Sequence, residues 1–74
     1  MEKFIEVLAD ALQMEVSDIH PEDTFRDYEV WDSLAVLSVS ASIFSEYGIN
    51  ISRAAYDSFI TVKDIYVFVN DNTK

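Results

Sequence analysis

Residues 33–47 constrain the fold of this 74-residue chain most, because they are apolar on nearly every side and include one charged residue, Glu46. Asp32 precedes the segment and suits the N-cap of a helix, since its carboxylate can accept a hydrogen bond from a first-turn amide. Gly48, the only glycine of the chain, follows the segment and suits the left-handed position after a helix. These signals predict a helix over residues 33–47.

Helical spacing predicts which side of this segment faces the core. The predicted core side consists of Leu34, Leu37, Ala41 and Phe44. Four residues extend that side: Val36, Ser40, Ile43 and Tyr47. The remaining strip is weakly polar and consists of Ala35, Ser38, Ser42 and Ser45. A helix with so little charge is either buried over much of its circumference or offers an apolar surface to a partner. The central position in a bundle is favoured, with Leu37 and Phe44 packed against Phe4, Leu8 and the final helix.

Further helices are predicted on both sides of this segment. Apolar residues recur at three- and four-residue spacing over residues 2–14, which is typical of an amphipathic helix. A brief helical turn is expected near residues 54–58, with Tyr56 and Phe59 facing inward. Thr61 and Asp64 form a capping-box-like pair that predicts the start of a last helix.

A long loop over residues 15–31 separates the first two helices. It interrupts the helical periodicity and contains Pro21. Its expected anchors in the core are apolar: Val16, Ile19, Phe25 and either Tyr28 or Trp31. The chain is therefore predicted to be one all-α domain over residues 1–74. We expect a small antiparallel bundle of three main helices plus one short helix.

Composition excludes several classes of function. A chain without cysteine has no disulfide, no thiolate nucleophile and no usual zinc cluster. No loop has the ligand spacing of an EF-hand, so no metal site is predicted beyond weak, adventitious binding of divalent ions by the loop acids. The net charge of -9 argues against binding to nucleic acid or to anionic membranes. The apolar runs are too short to span a bilayer, and we expect a soluble, cytosolic monomer.

Acidic residues are concentrated in the first part of the chain. Residues 1–32 contain ten acidic residues and two basic ones, whereas residues 33–74 contain four acidic and three basic residues. One interpretation is a solvated acidic surface that aids solubility. The other is an electrostatic field that steers basic partners toward the end of the molecule near Ser33.

Ser33 is the candidate functional residue. As the first residue of the predicted helix it lies where exposed amides and the helix dipole favour an anion such as phosphate. The alternative is that Asp32 and Ser33 simply begin a helix. A hydrolase is not indicated, because the single His20 lies in the loop and no Gly-x-Ser-x-Gly turn surrounds Ser33.

Over nearly its whole length the chain resembles the acyl carrier proteins. The resemblance rests on Ile19, the run at residues 22–25, the Asp-Ser-Leu at residues 32–34, the run at residues 46–49, and Thr61 with Val62. It implies a carrier rather than an enzyme. Ser33 would receive 4′-phosphopantetheine from coenzyme A through a phosphopantetheinyl transferase. Asp32 would help bind the magnesium ion used in that transfer, and Leu34 would complete the attachment motif. The thiol of the arm would hold acyl groups as thioesters for loading and transferring enzymes.

The chain departs from the fatty-acid carriers at two places. It has Val30 and Trp31 where those carriers commonly have a glycine, and Ala35, Ser38 and Ser42 where they have acids that pair with basic partners. These departures favour a specialised stand-alone carrier in another acyl or polyketide-type pathway. The alternatives are an aminoacyl, peptidyl or D-alanyl carrier, or an acidic interaction module without the arm. Partners are expected to contact the apolar residues Trp31, Val36 and Val39, with Asp27 and Glu29 acting on the rate of encounter.

Overall fold

The computed structural model describes residues 2–73, so Met1 and Lys74 of the predicted domain lie outside it. Its four α-helices are α1 (Glu2–Leu12), α2 (Ser33–Tyr47), α3 (Arg53–Tyr56) and α4 (Val62–Asn72). Two 3₁₀ turns lie between α1 and α2, at Val16–Asp18 and Phe25–Asp27. The prediction of a small all-α bundle is confirmed, and α1 packs along α2.

The end of α2 follows its sequence signal, whereas α1 ends earlier than predicted and α3 spans Arg53–Tyr56 rather than residues 54–58. Gly48 adopts a left-handed conformation (φ 70°) and its amide donates to the carbonyl of Phe44, as expected. The first helix ends at Leu12 rather than at the predicted residue 14, because Gln13 takes a positive φ of 57°. The Met14 amide then donates to the carbonyl of Ala9 at 2.9 Å, which closes the helix in a Schellman-type end.

The buried face of α2 differs from the predicted one. Ala35, Val39 and Ile43 lie in the core, whereas Leu34, Leu37 and Phe44 are 72%, 63% and 58% exposed. The prediction that Leu37 and Phe44 pack in the core is therefore wrong, and Ala41 is also exposed. The cause is that α2 is apolar almost all round, so its periodicity does not select one face.

Three of the other predicted positions on α2 lie toward the core, and the strip expected at the surface is only partly there. Val36, Ser40 and Tyr47 are half-buried, as an extension of a core face should be. Of the strip, Ser38 and Ser45 are exposed, but Ala35 is buried and Ser42 is half-buried. The buried stripe thus combines small and β-branched side chains.

The core is formed by large apolar residues from every helix and from the loop. Phe4 and Leu8 of α1 are almost fully buried, and the Phe4 ring lies 5.5 Å from the Tyr66 ring of α4. Tyr56 and Phe59 face inward, as predicted. The Tyr56 hydroxyl lies 2.9 Å from Ser40 Oγ, and burial raises the pKa of Tyr56.

The loop between α1 and α2 is fixed by core anchors and by hydrogen bonds to α4. Ile19 and Phe25 are buried as predicted, but Val16 is 49% exposed. Val16 lies at the start of a 3₁₀ turn and remains at the surface. Ile19 follows that turn in an extended conformation and is buried. Tyr28 and Trp31, both half-buried, pack against the core.

Backbone hydrogen bonds hold the loop against the start of α4, and a side-chain cap begins that helix. The amide of Val62 donates to the carbonyl of Asp23 at 3.0 Å, and the amide of Lys63 donates to that of Pro21 at 2.8 Å. The predicted capping pair is present, since the Asp64 amide donates to Thr61 Oγ1 and the Thr61 amide donates to the Asp64 carboxylate. The hydrogen bonds that the Thr61 and Ile60 amides donate to the carboxylate of Asp64 lower its pKa. The loop therefore satisfies first-turn amides of α4 that would otherwise lack partners.

Candidate functional site

Ser33 is the first residue of α2 and is exposed. Asp32 caps the helix, because its Oδ1 accepts a hydrogen bond from the Ala35 amide at 2.8 Å and its carbonyl accepts one from Val36 at 3.1 Å. The amides of Ser33 and Leu34 belong to the group that a helix leaves without an intrahelical partner. The hydroxyl therefore lies at the positive end of the helix dipole, where an attached anion is stabilised.

A layer of aromatic residues supports the chain just before Ser33. The Trp31 ring lies 4.6 Å from the Phe25 ring, edge to face, and 6.0 Å from the Tyr56 ring. The Trp31 amide also donates to the carbonyl of Tyr28 at 3.0 Å. Trp31, expected to contact partners, thus uses much of its surface within the fold and fixes the direction in which the chain enters α2.

Arg26 ties the loop to the opposite side of this aromatic layer. Its guanidinium donates to the carbonyls of Tyr56 and Phe59, the latter at 2.6 Å, and lies over the Phe25 ring. A cation at these carbonyls, near the end of α3, is favoured by the helix dipole. The loop acids Asp27 and Glu29 remain exposed beside Arg26.

A tyrosine and an aspartate within the loop add a further hydrogen bond. The Tyr28 hydroxyl donates to Asp23 Oδ2 at 2.6 Å. This bond lowers the pKa of Asp23, while burial and the neighbouring carboxylate raise the pKa of Tyr28. The contact holds together the two ends of the segment that lies before the candidate site.

Arg53 reaches Ser33 from α3 and was missed in the sequence analysis. Its guanidinium donates to Ser33 Oγ at 3.2 Å, across a separation of 20 residues in the chain. Both side chains are exposed. No local sequence pattern connects a residue at the start of a short helix with a serine at the start of another. The folded arrangement is needed to see this contact.

The structure divides the predicted partner residues into accessible and inaccessible ones. Val39 is completely buried, so the expectation that it contacts partners is wrong; its side chain fills the core next to α1. Val36 is half-buried. The accessible apolar residues of α2 are instead Leu34, Leu37 and Phe44, which share one side of the helix and begin directly beside Ser33.

Other kinds of site are not indicated within residues 2–73. No group of three or more histidine, cysteine, aspartate or glutamate side chains in that range could hold a metal ion. No helix in the same range is long and apolar enough to cross a membrane.

Comparisons with known proteins show the family to which the chain belongs. Residues 2–69 match the family model described as phosphopantetheine attachment site. The chain is 32% identical over 72 residues to the acyl carrier protein of Onion yellows phytoplasma (strain OY-M), covering 97% of this chain and 95% of that protein. The acyl carrier protein of Aster yellows witches'-broom phytoplasma (strain AYWB) matches with the same identity and coverage. This chain belongs to the acyl carrier protein family.

Membership in the acyl carrier protein family confirms several expectations. The protein is a carrier rather than an enzyme, and its cofactor is 4′-phosphopantetheine. Acyl carrier proteins work by interacting with enzymes. The residues present fit the cofactor, because an exposed hydroxyl lies at the N-terminus of a long helix with a guanidinium beside it. Because Ser33 is exposed, a group on its hydroxyl would extend into solvent rather than into the core.

Proposed function

We propose that Ser33 carries the 4′-phosphopantetheine arm. One observation supports this most directly: the Ser33 hydroxyl is exposed at the first position of α2 in a chain that matches the phosphopantetheine attachment family. In the attachment reaction Ser33 Oγ forms a bond to the phosphorus of the pantetheine phosphate and loses its proton. The phosphoanhydride bond of coenzyme A breaks as this bond forms, adenosine 3′,5′-bisphosphate leaves with the electron pair, and the proton of Ser33 is released to solvent. The helix dipole then stabilises the phosphodiester.

Asp32 and Leu34 have separate tasks beside the attachment point. Asp32 holds the first turn of α2 in place through its bond to the Ala35 amide, and its second carboxylate oxygen is available toward a magnesium ion of the transfer reaction. Leu34 is 72% exposed, so it presents an apolar surface next to the modified hydroxyl. Together they give a transferase both a charged and an apolar contact at Ser33.

The arm supplies a thiol, which holds an acyl group as a thioester; the chain itself contains no cysteine. What the protein contributes is an anchored, exposed attachment point and a surface that partner enzymes recognise. The partners in this proposal are a phosphopantetheinyl transferase and the enzymes that load and transfer acyl groups.

The surface of α2 supports a specialised pathway rather than housekeeping fatty-acid synthesis. Its exposed side carries Leu34, Leu37 and Phe44, and the exposed residues between them are serine and alanine. Glu46, the one charged residue of α2, lies 3.6 Å from Lys3. Enzymes with basic docking patches therefore find no row of acids on this side, whereas an apolar partner surface is complementary to it.

Mass spectrometry of the intact protein tests the proposal. Incubation with a broad-specificity phosphopantetheinyl transferase, magnesium and coenzyme A should add one phosphopantetheine to the protein. Ser33→Ala should remove the addition completely. Ser38→Ala, which deletes another exposed hydroxyl of α2, should leave it intact. Absence of a mass increase, or an increase that persists in Ser33→Ala, would contradict the assignment of Ser33.

A further inference from the structure

Arg53 connects α3 to the attachment residue. It begins α3, directly after Ser52, whose hydroxyl accepts a hydrogen bond from the Ala55 amide at 3.2 Å. From this capped position the guanidinium donates to Ser33 Oγ at 3.2 Å. The contact joins two elements that are adjacent at this end of the molecule but distant in sequence.

Two other basic side chains, Lys3 and Arg26, are engaged elsewhere. Lys3 Nζ lies 3.6 Å from Glu46 Oε2. Arg26 donates to the backbone carbonyls of Tyr56 and Phe59. Within residues 2–73, no carboxylate lies within ion-pair distance of Arg53. A guanidinium at an exposed site, with a neutral hydroxyl as its partner, retains most of its capacity to bind an anion.

Attachment of the arm changes what Arg53 faces. The proton of Ser33 Oγ is replaced by phosphorus, and the two unesterified oxygens of the phosphodiester lie within two bonds of Oγ. A guanidinium that already contacts Oγ reaches these oxygens by small side-chain rotations. Arginine and phosphate form short, charge-assisted hydrogen bonds that are roughly twice as strong as neutral ones.

Acidic residues near Ser33 repel a further negative charge, so a cation such as Arg53 stabilises a phosphodiester there. Asp27, Glu29 and Asp32 lie in the stretch that leads into Ser33 and are exposed. A phosphodiester adds one negative charge at the same end of a protein whose net charge is already -9. The helix dipole offsets part of this repulsion, and a neighbouring guanidinium offsets more.

We propose that Arg53 is a positioning residue that binds the phosphodiester of the arm on Ser33 and draws the first atoms of the arm toward α3. This inference rests on the proposed attachment at Ser33. It predicts an interaction that is weak in the unmodified protein, where it joins an arginine to a neutral hydroxyl, and strong after modification. A purely structural role for Arg53 would affect both forms equally.

The test compares the modified and unmodified forms of four proteins: the unaltered chain, Arg53→Lys, Arg53→Gln and the control Lys63→Gln. The control removes the same charge from α4, where Lys63 is exposed. Mass spectrometry first establishes that each protein carries the arm. Phosphorus NMR of the folded protein then reports on the phosphodiester, and thermal melts report on stability.

The phosphodiester resonance of the unaltered protein should differ from that of Arg53→Gln, which should lie close to the resonance of the same protein unfolded in denaturant. Arg53→Lys should lie between them, since lysine keeps the charge but not the forked geometry. Lys63→Gln should match the unaltered protein. In the melts, Arg53→Gln should lower the Tm of the modified form more than that of the unmodified form.

Two outcomes would overturn the proposal without affecting the attachment itself. One is a full mass increase with the same resonance in the unaltered protein and both Arg53 variants. The other is an equal loss of Tm in the modified and unmodified forms, which would give Arg53 a structural role only. Failure of the unaltered protein to gain the arm would instead contradict the assignment of Ser33, and with it the proposal.

Discussion

On α2 the smaller apolar side chains are buried and the larger ones are exposed, which is the reverse of what folding alone favours. The buried side carries small and β-branched residues: Ala35, Val39 and Ile43. The side that faces solvent carries larger apolar residues: Leu34, Leu37 and Phe44. A helix that served only the core would place its leucines and phenylalanine inside, because burying such a side chain contributes about 1.5–3 kcal/mol. The exposed side is therefore explained better by what it binds than by how the chain folds.

The position of the exposed side supports the same conclusion. It begins at Leu34, next to the proposed attachment residue Ser33, and continues along the helix to Phe44. Contiguous exposed apolar surface on a soluble protein is typical of an interaction site, whereas single exposed apolar residues are common. With the arm attached to Ser33 as proposed, an enzyme that acts on it would approach the exposed side of α2.

The largest expected effect is on stability, where the two sides should respond differently to truncation to alanine. Ile43→Ala should cost about 2–5 kcal/mol, because it leaves a cavity in the core beside α1. Leu37→Ala should change the free energy of unfolding by no more than about 0.5 kcal/mol, since the side chain is 63% exposed. Denaturant melts followed by circular dichroism would measure both.

A milder variant keeps this comparison usable if Ile43→Ala does not fold. Ile43→Val should cost about 0.5–1.5 kcal/mol and should still be less stable than Leu37→Ala. If Leu37→Ala lowers the free energy of unfolding by more than about 2 kcal/mol, Leu37 lies in the core, as its helical spacing predicted. The exposed apolar side of α2 would then not be available as a docking surface.

The sequence predicted the elements of the fold much better than the faces of α2. Asp32, Gly48 and the Thr61 and Asp64 pair are local signals, because each acts on backbone groups within a few residues, and all of them hold in the structure. Which face of α2 is buried depends on how the other elements pack against it. A helix that is apolar almost all round has no alternation of apolar and polar residues from which that face could be predicted. The wrong assignment of Leu37 has this cause.

The candidate site shows the same division between local and distant information. Ser33 could be predicted because the capping aspartate that marks the start of the helix is its neighbour in the sequence. Arg53 could not, because its contact with Ser33 arises only when the segment after α2 folds back toward the start of that helix. Val39 was assigned to the surface for a related reason: proximity to Ser33 in sequence says little about exposure on a helix.

The next effect concerns docking, and it uses a substitution that should leave the fold unchanged. Leu37→Ala should lower kcat/KM for a phosphopantetheinyl transferase by about tenfold, which corresponds to about 1.4 kcal/mol and is typical of an apolar contact near the centre of an interface. Val67→Ala, at a side chain of α4 that is 43% exposed, provides the matched control and should have little effect. Initial rates at several carrier concentrations would measure the change.

Charge should contribute differently from this apolar contact. Replacing Asp27 with Asn and Glu29 with Gln should slow association by a smaller factor, and the difference from the unaltered protein should shrink as salt is added. If this double variant loses more activity than Leu37→Ala, the acidic loop rather than the apolar side of α2 is the main docking surface.

The smallest expected effect concerns Asp32, the residue that caps the start of α2. Asp32→Ala removes the acceptor of the Ala35 amide and should cost about 1 kcal/mol, within the 0.5–2 kcal/mol typical of lost N-caps. Asp32→Asn keeps an acceptor and should be nearly as stable as the unaltered protein, although it removes the charge. Thermal melts separate these variants, and the transferase assay then assigns the second role. If Asp32→Asn is stable but gains the arm slowly, the carboxylate acts in the transfer itself. Equal stability of Asp32→Ala and the unaltered protein would instead show that α2 begins without help from this cap.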